Sequence, residues 1–261
     1  MDIYDTFAVT YTQGPYPRFS LQMADALPYV LTRLGQRPRT VLDVACGEGA
    51  FAVQMAREGY AVTGVDRSPR MLEIARDRAR LAEVEVRFLE QDMRALALDE
   101  RYDLVTCWFD SLNYLLTADD LARAFCGVGA ALAEGGLFLF DMNTLYGLAV
   151  EWQRNACYVQ QDTPDILEIH RPTYDHETAI ATLQIDGFLR DGGHWLRYTE
   201  VHRERGYRLA EIRKCLAEAG LEEVGCWGSL REYTPPTPQS GRVWFAARAD
   251  NKAAPSRRTP E

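Results

Sequence analysis

Lysine is almost missing from this chain: Lys214 and Lys252 are its two lysines, and nearly all of the 29 basic residues are arginine. A biased genome composition accounts for that more simply than function does. No basic cluster precedes the C-terminal tail, and the net charge is −9. A nonspecific nucleic-acid binder needs a cationic face, so that class is disfavoured, although a specific RNA substrate stays open. No apolar run approaches the roughly 20 residues that span a bilayer. Met1-Asp-Ile-Tyr-Asp lacks the basic and apolar regions of a signal peptide. The six cysteines (46, 107, 126, 157, 215, 226) form no C-x-x-C pair, and several sit in apolar runs. That pattern suits buried reduced thiols rather than disulfides or zinc ligands. There is no internal repeat. These absences predict a cytoplasmic protein with no membrane partner.

What is present is a sequence of alternating strand and helix signals. Val41-Leu-Asp-Val-Ala-Cys-Gly-Glu-Gly49 reads as an apolar strand ending in Asp43 and a glycine turn, and Val62-Thr-Gly-Val-Asp66 as a second strand ending in Asp66. Strands are predicted at 40–44, 61–65, 84–89, 102–108 and 136–141, and helices at 20–34, 49–58, 69–81 and 118–133. Ser68 and Pro69 supply a cap and a first-turn proline. Gly135 and Gly136 separate a helix from the next strand. Continuous apolar strands between helices imply a parallel sheet covered on both faces. From Cys157 to Arg205 the helical period gives way to alternation, with a hairpin turn at Asp191-Gly192-Gly193. A helix over 208–219 and strands near 222–228 and 242–248 close the chain. The predicted organisation is one domain over 1–248: an aromatic arm and helix (1–34), a cofactor-binding core (35–149), an antiparallel lid insertion (150–207) and a final helix with strands (208–248). Residues 249–261 read as a disordered tail.

The turn predicts a ligand with a ribose. Gly47 and Gly49 let backbone approach it, and Asp66, about 20 residues on, is placed to accept from ribose hydroxyls. Gly47-Glu-Gly49-Ala-Phe-Ala52 formally fits the dinucleotide fingerprint, so an NAD(P)-dependent oxidoreductase is the rival reading. A pyrophosphate needs an anion-friendly turn, whereas Asp43 and Glu48 place two carboxylates there. Carboxylates suit a cationic ligand without phosphate: S-adenosyl-L-methionine.

Taken in order, these segments resemble the class I S-adenosylmethionine-dependent methyltransferases. The resemblance is carried by Val41–Gly49, by Val65-Asp-Arg-Ser-Pro-Arg-Met-Leu72, by Leu89-Glu-Gln-Asp-Met93 and by Leu132-Ala-Glu-Gly-Gly-Leu-Phe-Leu-Phe140. Tyr102-Asp-Leu-Val-Thr-Cys-Trp-Phe-Asp-Ser-Leu-Asn-Tyr-Leu115 and an N-terminal arm from Tyr4 to Tyr11 are similar to bacterial small-molecule methyltransferases, which include nucleotide-sugar N,N-dimethyltransferases. One departure from the sugar enzymes is Asp141-Met-Asn-Thr, where they carry a Pro-Trp-Trp type segment. The resemblance implies an α/β, Rossmann-like fold with a seven-stranded mostly parallel sheet and an antiparallel β lid. It implies methyl transfer to N or O of a small-molecule acceptor, with a tRNA-directed enzyme and a non-catalytic S-adenosylmethionine-binding protein as alternatives. A monomer or homodimer is expected.

The implied cofactor contacts are Tyr11, Arg18, Asp43, Ala45, Cys46, Gly47, Gly49, Asp66, Arg67, Met71, Gln91, Asp92, Met93, Cys107 and Phe109. Among them Asp92 and the Met93 amide would read adenine, Arg67 and Met71 flank it, and Arg18 pair with a carboxylate. Ligands of open α/β sheets bind beyond the carboxyl ends of the strands, which places the loop after 107 at the reacting centre. Tyr114, Asp110 and His202 are the candidate catalytic groups, and Tyr4, Asn113 and Asn143 the candidate acceptor contacts. The adjacent Asp-Asn pair of catechol-type enzymes is absent, so no metal is expected.

Overall fold

A computed structural model describes residues 7–249. Tyr4 and the tail beyond Ala249 lie outside the described residues. The elements are α1 (Phe7–Gln13), α2 (Pro17–Leu34), β1 (Thr40–Val44), α3 (Ala50–Arg57), β2 (Ala61–Asp66), α4 (Pro69–Leu81), β3 (Arg87–Glu90), β4 (Tyr102–Cys107), α5 (Ala118–Ala131), β5 (Leu132–Asn143), β6 (Tyr158–Asp162), β7 (Ile166–Asp175), β8 (Ile180–Asp191), β9 (His194–Arg205), α6 (Leu209–Glu218), β10 (Leu221–Trp227) and β11 (Arg242–Ala249).

Seven strands form one sheet in the order β10-β11-β5-β4-β1-β2-β3. β11 is antiparallel to both its neighbours and the other pairings are parallel. Strand order reverses between β1 and β4, so a crevice opens beyond their carboxyl ends, the place where such sheets bind ligands. Two apolar cores cover the faces. Phe125, Phe138, Phe140 and Phe245 anchor one, and Leu27, Phe51, Leu104 and Leu139 the other. β6-β7-β8-β9 form a separate antiparallel sheet. The mostly parallel sheet with an antiparallel β lid is the fold class expected from the sequence.

The differences in detail have local causes. The aromatic arm contains helix α1, and α2 begins at Pro17 rather than Ser20, since proline at N1 sacrifices no intrahelical bond. β3 starts at Arg87 rather than 84, because Glu83 turns through a positive φ of 54° after α4. α5 stops at Ala131, and Gly135 and Gly136 lie inside β5 at a bulge opposite β4. At Gly136 a Cβ would sit 3.0 Å from the Tyr102 carbonyl, so the close strand approach requires glycine. The hairpin between β8 and β9 turns at Gly192-Gly193, as the sequence predicts.

Candidate active site

A first cleft of about 1100 Å³ opens at the crevice. β1 delivers Asp43 to its floor, and the chain then leaves through Ala45 (φ 57°) and Gly47 (φ 54°). The Cys46 amide donates to the Val65 carbonyl at 3.0 Å, which clamps the turn to β2. A Cβ on Gly47 would meet nothing within 4 Å, so the missing side chain leaves open space. Gly49 has the opposite role: its Cβ would lie 2.9 Å from that of Ala75, so glycine there lets α3 start against α4.

Asp66 joins this turn to the next helix. Its carboxylate accepts from the Gly47 amide and from the Ser68 amide, each at 2.8 Å. Burial pushes its pKa up, while those two amides pull it down. A carboxylate offers about four acceptor positions, so two remain for hydroxyl donors. Asp43 is more deeply placed. It accepts from the Thr106 hydroxyl at 2.9 Å, and burial, against that bond, pushes its carboxyl up to about 8. Glu48 is buried but paired with Arg78, so its charge is offset. Glu48 is thus withdrawn from the turn as a free charge, and Asp43 opposes a pyrophosphate only where it is ionised, toward pH 8 and above.

At the other end of the cleft Asp92 caps a short turn and is forked by Arg94, at 2.9 and 3.0 Å from its Nε; the Arg94 side-chain bond holds the carboxyl below its usual range. The Gln91 amide closes the same loop, bonding the Ala97 carbonyl and amide at 3.0 and 2.9 Å.

Beyond β4, Phe109 (φ 58°) and Asp110 (φ 51°) are consecutive non-glycine residues in the left-handed region, which costs on the order of 1–3 kcal/mol each. Asp141 at the end of β5 holds them there. Its two carboxylate oxygens accept from the Phe109 and Asp110 amides at 2.7 and 3.1 Å, and Arg242 of β11 pairs with it. Burial pushes Asp141 up to about 6 despite Arg242. Arg242 also reaches Asp110 at 2.8 Å and lies over the Phe19 ring, which stacks on Phe109 at 4.9 Å.

A second cleft of about 1120 Å³ lies between the arm, this loop and the lid. Its lid wall is unusual in polarity. Tyr198, Glu200, His202 and Glu204 of β9 point inward and are buried, while Thr199, Val201 and Arg203 face out. Glu168 and His170 of β7 are buried too, His170 Nε2 lying 2.6 Å from Glu168 Oε1. Buried charges persist where partners satisfy them. Phe7 of α1 donates its amide to Glu200 at 3.2 Å, Thr10 meets Tyr198 at 2.5 Å, and Tyr16 bonds Glu168. The arm is thus tied to the lid by its polar face. Tyr11, Phe109 and Tyr114 line both clefts and form their junction.

Of the residues expected at the cofactor, Tyr11, Asp43, Ala45, Cys46, Gly47, Asp66, Arg67, Met71, Gln91, Asp92, Met93 and Phe109 line the first cleft. Three do not. Cys107 faces the apolar core, Gly49 lies under the turn against α4, and Arg18 lines the second cleft. Asn113 and Asn143 line neither cleft. Asn113 braces β5 and β9 through the Asn143 amide (2.9 Å) and the Asn143 and Arg205 carbonyls (3.0 and 2.8 Å). Asn143 spends its amide on Asp110 and Glu204. Asp110 lines the second cleft but is committed to Arg242 and Asn143, so it is a structural anchor rather than a free base. Tyr114 and His202 do meet: the hydroxyl lies 2.9 Å from Nδ1. Sequence reading missed Glu200, Glu204, Glu168, His170 and Arg242. The alternation Tyr198-x-Glu-x-His-x-Glu204 was a signal, but alternation alone does not say which face is inside.

Residues 41–136 match the methyltransferase domain family. A protein of Geobacillus sp. (strain WCH70) that carries a methyltransferase name is 31% identical over 260 residues, covering 94% of this chain and 99% of its own length. A crystal structure of an S-adenosylmethionine-dependent methyltransferase from Clostridium acetobutylicum ATCC 824 superposes with a TM-score of 0.81 at 26% identity, covering 95% of this chain and 100% of that one. An amino pentose methyltransferase from Micromonospora echinaspora, solved with S-adenosylmethionine bound, shares the fold at a TM-score of 0.71 and 22% identity over 95% of this chain and 99% of that one. The chain belongs to the S-adenosylmethionine-dependent methyltransferases. The open cradle at Gly47 and the acceptor set of Asp43 and Asp66 fit that cofactor.

Proposed function

We propose that the chain methylates nitrogen or oxygen of a small-molecule acceptor held in the second cleft, with S-adenosylhomocysteine as co-product. The observation that carries this reading is the junction: Tyr11, Phe109 and Tyr114 belong to both clefts, so a donor in one and an acceptor in the other meet at those three side chains. Enclosure between arm and lid suits a small molecule better than tRNA, and so does the acidic balance. The amino pentose specificity of the Micromonospora protein is consistent with it.

When bound, the cofactor supplies a methyl group on a sulfonium, a leaving group that needs no activation. The chain's residues then position and desolvate. Asp66 accepts the ribose hydroxyls, with its carboxylate held by the Gly47 and Ser68 amides. Asp43 faces the ammonium directly or through water. Asp92 and the Met93 amide meet adenine, flanked by Arg67 and Met71. Phe109 and Tyr11 shield the junction from solvent. Correct alignment alone can supply up to roughly 7–11 kcal/mol.

Calorimetric titration with S-adenosylhomocysteine, using NADH as control, tests the donor site. One-to-one binding that Asp66→Ala abolishes is the expected outcome, and binding of NADH alone would overturn it. Turnover would follow with amine and hydroxyl acceptors and with tRNA transcripts, where methylation of tRNA alone would sink the small-molecule reading.

A further inference from the structure

We propose that Tyr114, His202 and Glu200 form a proton-accepting relay at the junction of the clefts, with Glu200 as the positioning residue that sets the tautomer of His202. The proposal rests on reading the second cleft as the acceptor site. The Tyr114 hydroxyl lies 2.9 Å from Nδ1 of His202, and Nε2 of the same ring lies 3.4 Å from Oε2 of Glu200. His202 and Glu200 are 3% and 8% exposed, so water screens this line weakly. At 3.4 Å the Glu200–Nε2 contact is electrostatic rather than a formed hydrogen bond, and a carboxylate at that place favours the proton on Nε2 and turns the Nδ1 lone pair to the Tyr114 hydroxyl.

Position distinguishes this line from a second one of the same composition. Tyr158 lies 3.2 Å from Nδ1 of His170, and Glu168 sits at Nε2 of that ring. Tyr158 lines the second cleft alone, whereas Tyr114 also lines the donor cleft. Around the second cleft the other charged or titratable neighbours are Tyr11, Tyr16 and Arg18 of the arm, Tyr158, His170 with Glu168, Tyr198 and Glu204 of the same strand, and the Asp110–Arg242 pair.

A hydroxyl acceptor's O–H bond, or an N–H bond of an acceptor that enters as its ammonium, breaks, and the proton passes to the Tyr114 oxygen as the Tyr114 proton passes to Nδ1. The electron pair left on the acceptor forms the bond to the methyl carbon, and the C–S pair stays on sulfur. The imidazolium that results is held by Glu200. Because the other Glu200 oxygen takes the Phe7 amide at 3.2 Å, the relay is complete when the arm is seated.

The test is long-range ¹H–¹⁵N spectroscopy of histidine-labelled full-length chain with saturating S-adenosylhomocysteine, between pH 5 and 9. The signal missing from His202→Gln assigns the ring. Wild type should show the Nε2-protonated tautomer. In Glu200→Gln, which keeps an oxygen for the Phe7 amide and turns an amide donor toward the ring, the His202 tautomer should move toward protonation on Nδ1, and Glu200→Asp should restore part of the Nε2 form. His170 serves as the internal control. An Nδ1-protonated His202 in wild type, or the same His202 tautomer in wild type and Glu200→Gln, would overturn the relay. Heats of S-adenosylhomocysteine binding on the same samples keep the two readings apart: no binding by wild type would count against the donor site instead.

Discussion

At the scale of single residues, two carboxylates on neighbouring strand ends behave differently because their surroundings differ. Asp66 is held by two amides, so replacing it with alanine should both remove the ribose acceptor and loosen the Gly47 turn. Asp43 has one hydroxyl partner and a carboxyl raised to about 8 by burial. Between about pH 4 and pH 8 the folded chain keeps a proton that the unfolded chain has released, so this group lowers stability as pH rises, by up to about 1.4 kcal/mol per pH unit, and levels off above 8. Denaturant melts of Asp43→Asn should therefore be flatter with pH over that window and more stable than wild type at pH 8. Binding runs the other way. A cationic amino group needs the ionised carboxylate, so affinity for S-adenosylhomocysteine should rise by up to about tenfold per unit from pH 6 to 8, and Asp43→Asn should lose that slope. These two acids were legible in the sequence because strand ends and glycines bracket them. The pairing of Glu48 with Arg78 was not, since it depends on how α4 packs over the turn.

Among the elements, the loop after β4 is the one under most constraint. Two left-handed residues are held by Asp141, and Arg242 neutralises Asp141 and Asp110 together. Arg242→Met leaves two buried acids facing each other without a cation and should cost about 3–5 kcal/mol in urea unfolding. The loop's location could be read from the strand that precedes it. Its anchor could not, because β11 lies about 100 residues downstream and reaches Asp141 through an antiparallel pairing. The lid shows the same limit. Period-2 alternation announced strands, but β9 buries the acids and histidine and exposes Val201, the reverse of the usual pattern. The arm is bound to that inverted face, and Tyr16→Phe removes one of its ties, to Glu168. Hydrogen exchange should then quicken in α1 while β1, β4 and β5 keep their protection.

For the molecule as a whole, cofactor and fold are linked by mass action. S-adenosylhomocysteine at 100 times its Kd should add about 2.7 kcal/mol. At about 2–4 °C per kcal/mol for a domain of this size, thermal melts should shift by roughly 5–10 °C. Asp66→Ala should abolish the shift. No helix among the described residues is long and apolar enough to cross a membrane. The arm carries a further consequence. Tyr11 of α1 lines both clefts, and α1 is fastened to the lid at Glu200 and Tyr198. Tyr11 therefore stands where the two chambers meet, so loosening the strap bears on donor and acceptor traffic together. Stopped-flow association and dissociation of S-adenosylhomocysteine should then both quicken in Tyr16→Phe.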